Sequence, residues 1–359
     1  MNMLVDGEWQ TDVSESTNGD GEFERQETVF RNWIGASHPE AEESSSDQPR
    51  DGDDREARFQ PEAGRYHLYV SYACPWAHRT LLVRSLKGLE DAISVDVVDP
   101  YRGVDGWQFT PGKAGCTPDT VNDSDYLREV YKTADDSVTC RVTVPVLWDK
   151  QEETIVNNES EEILRMLDTA VHEVAERDVN LYPEGYQDEV DRIIEDIYEP
   201  INNGVYRAGF AESQDAYDRA VGELFDALDH WDSVLADQRY LAGDRLTEAD
   251  ICMFTTLVRF DQVYHTVPTI LGEVSPDVTD LREDRWKRIA DYENLHAYLR
   301  DLYQTDGAAE TVNPEHIVEH YGCPGSPPGF DPYDLDEVDL NLDAPHDRNR
   351  LTEGEQFAR

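Results

Sequence analysis

Cys74 and Pro75 lie between an apolar run, Tyr66–Val70, and a segment with helical periodicity over 75–87. Proline suits the first helical position, because the N–H it lacks would have no partner there. The N–H groups left free at such a terminus, and its partial positive charge, stabilise a thiolate. A reactive cysteine of lowered pKa is therefore expected at Cys74. Position 77, where a dithiol oxidoreductase carries its second cysteine, is Ala77. Exchange at Cys74 must then use an external thiol and pass through a mixed disulfide. Cys116, Cys140 and Cys252 read as small buried hydrophobes.

Other residues are open to more than one reading. Arg141, just before Pro145, is a candidate cation beside the thiolate, or a solvent-facing strand residue. Glu159-Ser160 can cap a helix or bind a ligand's charged groups. Tyr206 can fill a core or offer its hydroxyl to a ligand. His78 lies one turn after Cys74, where packing or a backbone hydrogen bond is expected before any tuning of the thiol. His316, His320 and Cys323 have a spacing a metal could use, but no metal is assigned to them. No glycine loop for a dinucleotide or nucleoside triphosphate is present.

These residues need elements to hold them. Strands are expected over 66–70 and 93–98, flanking the 75–87 helix, then over 142–148 with Pro145 and over 154–156, followed by a helix at 159–167. That order is thioredoxin-like. The Gly-, Asp- and Thr-rich stretch 100–140 is given no element. After Tyr182-Pro-Glu-Gly185 the chain turns helical, with helices expected over 188–198, 216–235 and 285–303. Thr247 and Asp250 form a capping box before the apolar run 251–257. The expected division is an N-terminal extension with an acidic loop (1–62), a thioredoxin-like α/β thiol-binding domain (63–170), a linker (171–184), an all-α C-terminal domain (185–322) and an acidic tail (323–359).

Among 359 residues, 78 are acidic and 31 basic, a formal net charge of −47. So negative a surface repels phosphate backbones and anionic lipid, which excludes nucleic acid and membrane as partners. Only five of the cations are lysine, and the composition fits a cytosol of very high salt. At about 1 M the Debye length is only ~3 Å, which screens the self-repulsion. The 10 Phe, 18 Tyr and 7 Trp argue for a packed core rather than a disordered chain. With no basic-then-apolar leader and no run of 18 apolar residues, a soluble, reduced, cytoplasmic protein is expected.

The segments Tyr66-His-Leu-Tyr-Val-Ser-Tyr-Ala-Cys-Pro-Trp-Ala-His-Arg-Thr80, Gly106-Trp-Gln-Phe109, Arg141-Val-Thr-Val-Pro-Val-Leu-Trp-Asp-Lys150, Ile155-Val-Asn-Asn-Glu-Ser160 and Ile201-Asn-Asn-Gly-Val-Tyr-Arg-Ala-Gly209 resemble the glutathionyl-hydroquinone reductases, the Xi class of glutathione transferases. The resemblance runs from Leu4 to His316 and implies a thioredoxin-like domain followed by a helical transferase domain. It implies that Cys74 removes glutathione from glutathionyl-hydroquinones through a mixed disulfide; the high-salt composition adds the expectation that γ-glutamylcysteine, which shares the γ-glutamyl part, is accepted as well. Val144 and a cis Pro145 would pair with the cysteinyl backbone of the thiol, and Glu159 and Ser160 would hold its γ-glutamyl end. Trp107 and Arg141 would complete the thiol site, with Tyr206 and Tyr303 facing the quinol oxygens. It further implies a homodimer with no permanently bound cofactor. The alternatives are an omega-like thiol transferase or dehydroascorbate reductase, and a non-catalytic binding protein on the same fold. The chain departs from the family over 262–286, which lacks a Lys-Cys-Asn run and carries an insertion, in the loop 112–124, and in the tail after Gly322.

Overall fold

The structure is a computed structural model describing residues 2–11, 13, 18, 20–35, 58–265, 287–322, 340–352 and 356–357. Most of the acidic loop 40–58, most of the insertion 262–286 and Cys323 fall outside these residues. At the N-terminus, β1 (Met3–Val5) and β2 (Glu8–Gln10) form a small antiparallel hairpin with Leu4 opposite Trp9. Gly7 in its turn has φ +74°, and a Cβ there would lie 1.9 Å from the Asp136 carbonyl oxygen. The chain can approach itself so closely only at glycine.

The main sheet is centred on β3 (Tyr66–Val70), buried at all five positions. A strand covered on both faces carries a continuous apolar run rather than an alternating one. It pairs in parallel with β4 (Ser94–Val97). The strand order is β4-β3-β5-β6, where β5 (Val146–Asp149) pairs antiparallel with both β3 and β6 (Thr154–Asn157). The helix α1 (Pro75–Leu86) follows β3 and buries nine of its twelve residues, because α3 (Ser160–Arg165) and α7 (Glu248–Phe260) both pack on it.

The stretch 100–140 contains one helix that its composition conceals. In α2 (Leu127–Ala134) the residues Leu127, Val130 and Tyr131 share one buried face, and Glu129 Oε2 accepts the N–H groups of Asp125 and Tyr126 at 2.8 and 3.1 Å. The signal is only eight residues long and stands among loop-forming residues.

The helical layer consists of α4 (Gln187–Ile197), α5 (Gly204–Gly209), α6 (Gln214–Val234), α7, α8 (Glu293–Tyr303) and α9 (Pro314–Gly322). The α8 helix starts later than the expected 285, after a tight turn at Ile289–Asp291. Every residue of α7 is buried. Its first turn is held by Asp250, whose Oδ2 accepts the Thr247 N–H at 2.8 Å while Oδ1 accepts Leu241 N–H and Tyr298 O–H at 2.9 and 2.7 Å. Part of the acidic tail is docked here. Arg348 donates to the carbonyls of Leu235, Gln238 and Arg239 at 3.1, 2.6 and 2.8 Å, which satisfies the acceptor at the C-cap of α6 and two in the turn that follows it.

Residues 20–35 run as a strap from one layer to the other. On the helical side Glu212 N–H donates to Gly21 C=O at 2.9 Å and the rings of Phe23 and Phe210 lie 5.1 Å apart. On the sheet side Asn158 N–H donates to Phe30 C=O, and Asn32 N–H to Val156 C=O, both at 3.0 Å. The middle of the strap therefore crosses the groove between the layers, above α1.

Candidate active site

Cys74 occupies the N-cap position of α1 in extended conformation (φ −78°, ψ 121°), followed by Pro75 in the first turn. Its Sγ lies 3.6 Å from the carbonyl oxygen of Val144, which opens a cis Val144–Pro145 peptide. The backbone N–H groups of Ala77 and Trp76 favour the thiolate, as the helix terminus predicts. Burial outweighs them and pushes the Cys74 thiol above its ordinary value, so the expected lowered pKa is not what the fold produces by itself.

The cations with the largest effect on Cys74 are Arg259 and Arg25, not the expected Arg141. Arg259 is fully buried near the end of α7. Its Nε donates to Ala73 C=O at 2.9 Å, Nη2 to Tyr72 C=O at 2.8 Å and Nη1 to Thr255 C=O at 2.7 Å. Nη1 also lies 3.0 Å from His78 Nδ1, and His78 Nε2 lies 2.7 Å from Thr311 Oγ1. Both ring nitrogens of His78 therefore face side chains, and burial together with Arg259 holds His78 neutral.

Beside the cysteine stand three tyrosines. Tyr206 Oη lies 2.8 Å from Tyr321 Oη, Tyr321 Oη 3.0 Å from Tyr264 Oη, and Tyr206 Oη 3.4 Å from Tyr264 Oη. Burial raises all three phenols, so they are protonated donors at neutral pH. Trp76 stacks on Tyr206 at 6.2 Å and 26°, with the guanidiniums of Arg25 and Arg79 4.4 and 4.5 Å from its ring centre.

A cleft opens on the other side of Val144 and Pro145, lined by Trp76, Arg141, Glu159 and Ser160 as well. Glu159 is at the N-cap position of α3 but makes no side-chain cap hydrogen bond. Its carboxylate instead receives the hydroxyls of Thr28 and Ser160 at 3.3 and 3.4 Å. Its carboxylate is therefore directed into the cleft wall rather than onto the helix N-terminus.

Residues 73–170 match the glutathione S-transferase N-terminal domain, and residues 214–301 the glutathione S-transferase C-terminal domain. Glutathionyl-hydroquinone reductase YqjG of Escherichia coli is 45% identical over 321 residues, covering 89% of this chain and 90% of its own. The chain belongs to the glutathionyl-hydroquinone reductases. A solved member of this Xi class of glutathione transferases, from the halophile Natrialba magadii, is 59% identical with a TM-score of 0.79, covering 98% of this chain and 97% of its own. The glutathione-bound structure of YqjG is 43% identical with a TM-score of 0.77, covering 97% and 99%.

Of the residues that the family resemblance singled out, Cys74, Val144, Pro145, Glu159, Ser160, Arg141 and Tyr206 converge on this region. Trp107 does not line the cleft. It is buried and stacks on His320 at 5.3 Å and 17°. Tyr303 is not brought to the tyrosine cluster either, and its electrostatic neighbours are Asp343 and Glu310. The tyrosines joined to Tyr206 are Tyr264 and Tyr321. Among the described residues no cluster of three or more potential metal ligands occurs. His316 Nε2 lies 2.8 Å from Ala114 C=O, and His320 Nδ1 2.7 Å from Pro100 C=O. Arg259 had a visible signal, a cation inside the otherwise uncharged run from Ile251 to Phe260. Tyr264 and Tyr321 had none, since their meeting depends on how α7 and α9 pack.

Proposed function

We propose that the protein reductively removes glutathione, or γ-glutamylcysteine, from glutathionyl-hydroquinones through a Cys74 mixed disulfide. The observation that carries this reading is that Cys74 Sγ lies 3.6 Å from the carbonyl of Val144, a residue lining the cleft, with the protonated Tyr206 and Tyr321 close enough to act on its charge. The thioether must place its sulfur at Cys74, its peptide in the cleft and its ring by the tyrosines. An aryl carbanion is far too basic to leave directly. The reactive form is the keto tautomer, in which the proton of one hydroxyl has moved to the sulfur-bearing carbon. The Cys74 thiolate attacks the thioether sulfur and an S–S bond forms as the C–S bond breaks. The released electron pair passes to the ring oxygen as a phenolate, which then takes a proton from solvent. Two sulfurs are oxidised to a disulfide and the ring carbon is reduced from C–S to C–H. A second thiolate then attacks the bound thiol's sulfur and restores Cys74.

Val144 offers its backbone to the cysteinyl part of the thiol. Glu159 answers the γ-glutamyl ammonium, while Ser160 and the start of α3 answer the α-carboxylate. Those groups are common to glutathione and γ-glutamylcysteine, which supports acceptance of both. Replacing Cys74 by Ala and following hydroquinone release tests the mechanism, and unchanged turnover overturns it. Turnover with the two thiols at high KCl tests the substrate, and strict dependence on the glycine carboxylate overturns acceptance of γ-glutamylcysteine.

A further inference from the structure

The strap of residues 20–35 delivers one cation to the groove, Arg25. Its guanidinium centre is 4.4 Å from the Trp76 ring centre and 5.4 Å from that of Tyr206. The side chain lines both the thiol cleft and a neighbouring depression that shares Tyr198 with it. Three nearby guanidiniums are committed to other groups. Arg79 donates to Asn202 Oδ1 at 2.8 Å, Arg207 pairs with Glu223 at 2.7 Å, and Arg219 pairs with Glu22. Among the described residues Arg25 donates to no carboxylate, although the chain holds 78 acidic residues against 31 basic ones. Held only by aromatic faces, its N–H fork remains available to an anion.

The reaction proposed above creates such an anion. When the C–S bond breaks, the electron pair arrives on the quinol oxygen as a phenolate, whose conjugate acid has a pKa near 10 by analogy with tyrosine. Tyrosine hydroxyls can donate to it but carry no charge. A guanidinium stays protonated at any working pH and forms the stronger, charge-assisted bond. We infer that Arg25 is a catalytic residue supplied by the N-terminal strap, receiving the phenolate oxygen as the C–S bond breaks. The inference rests on the proposed function. Its field already favours the anionic forms of Cys74, Tyr206 and Tyr198. In concentrated salt the long-range part of this attraction is screened, and the contact hydrogen bond is what remains.

The test compares wild type, Arg25→Met and Arg25→Lys in two reactions. One is cleavage of the glutathione conjugate of 1,4-hydroquinone, and the other is glutathione-dependent reduction of bis(2-hydroxyethyl) disulfide, in which no phenolate leaves. Arg25→Met should lower kcat for the conjugate by roughly 10- to 100-fold, the range of one charge-assisted hydrogen bond. Disulfide reduction should lose clearly less than conjugate cleavage, because it feels Arg25 only through the field on Cys74 and no phenolate leaves. Arg25→Lys should recover part of the loss. Chlorination of the ring, which acidifies the phenol, should shrink it. Unchanged kcat for Arg25→Met overturns the inference, as does an equal loss in both reactions, which would place its effect on Cys74 or on folding. If the wild type reduces the disulfide but never cleaves the conjugate, the proposed function falls and this inference with it.

Discussion

Arg259, on a helix of the C-terminal domain, donates from Nε to the carbonyl oxygen of Ala73 at 2.9 Å, immediately before Cys74. The turn that presents Cys74 is thus held from the opposite domain. Replacement of Arg259 by Met leaves the carbonyls of Tyr72, Ala73 and Thr255 without their buried donor. A buried acceptor left without its donor costs about 1–3 kcal/mol. A fall in Tm is expected, with slower alkylation of Cys74 by iodoacetamide in the fraction that folds. Lysine should not rescue, because one ammonium cannot reproduce the planar fork. Wild-type alkylation rates in Arg259→Lys would show that this guanidinium does not position the cysteine.

Tyr206 and Tyr321 share a 2.8 Å contact between hydroxyls and should act as a unit. Tyr206→Phe and Tyr321→Phe are each expected to lower kcat for a glutathionyl-hydroquinone by about tenfold, one hydrogen bond to a developing charge. The double variant should lose less than the product of the two. A coupling free energy of about 1 kcal/mol in the double-mutant cycle is the expected outcome. Strict additivity would mean that the two hydroxyls serve separate purposes.

Much of this site could be read locally. Cys74, Pro145, β3 and α1 each announce themselves within a dozen residues, through an apolar run, a proline or a helical period. Glu159 was legible as a helix start, but only the missing cap bond shows that its carboxylate is directed elsewhere. Tyr321 is 115 residues from Tyr206, and no periodicity connects them. For the same reason no local signal links Tyr303, on α8, to its electrostatic neighbours Asp343 and Glu310. Trp107 stacks on His320 of α9, a contact that no pattern in the sequence connects. Arg25 sits in a polar segment without helix or strand, where sequence pattern carries least information. Residues placed by their own element were visible, and those placed by the meeting of two elements were not.

His320 couples this architecture to acid. Burial is the main cause that lowers its pKa to about 4, helped by Arg102 and Arg259, while the hydrogen bond to Pro100 C=O opposes them. The unfolded chain titrates near 6.5, so the folded form binds fewer protons between the two values. Stability is fully present above about pH 6.5 and is lost as pH falls towards 4. His78, also held neutral, adds to the same slope. His320→Phe keeps a ring against Trp107 but cannot titrate, and should flatten the decline of Tm between pH 6.5 and 4. An unaltered slope would assign the acid sensitivity to other groups.

Salt sets a further condition, and its reason lies in where the charge is. Many carboxylates with defined partners are already neutralised, such as Asp149 against Arg65 and Asp168 against Lys87, at 2.6 and 2.8 Å. With 78 acidic and 31 basic residues, most carboxylates cannot have a cation of their own. Their mutual repulsion is long-ranged in dilute buffer and confined to about 3 Å near 1 M salt. Dilution from molar KCl to about 0.1 M, where the Debye length is about 10 Å, should therefore lower Tm and activity together. Unfolding is the expected cause, so the two should fall in parallel when followed by circular dichroism and turnover. Added sucrose, which favours the compact state without screening charge, should restore only part of the loss. The buried pair Lys87–Asp168 is shielded from mobile ions, and Lys87→Met should destabilise by a similar amount at both salt concentrations. A Lys87→Met penalty that vanished in molar KCl would place that pair among the screened surface charges and contradict its burial.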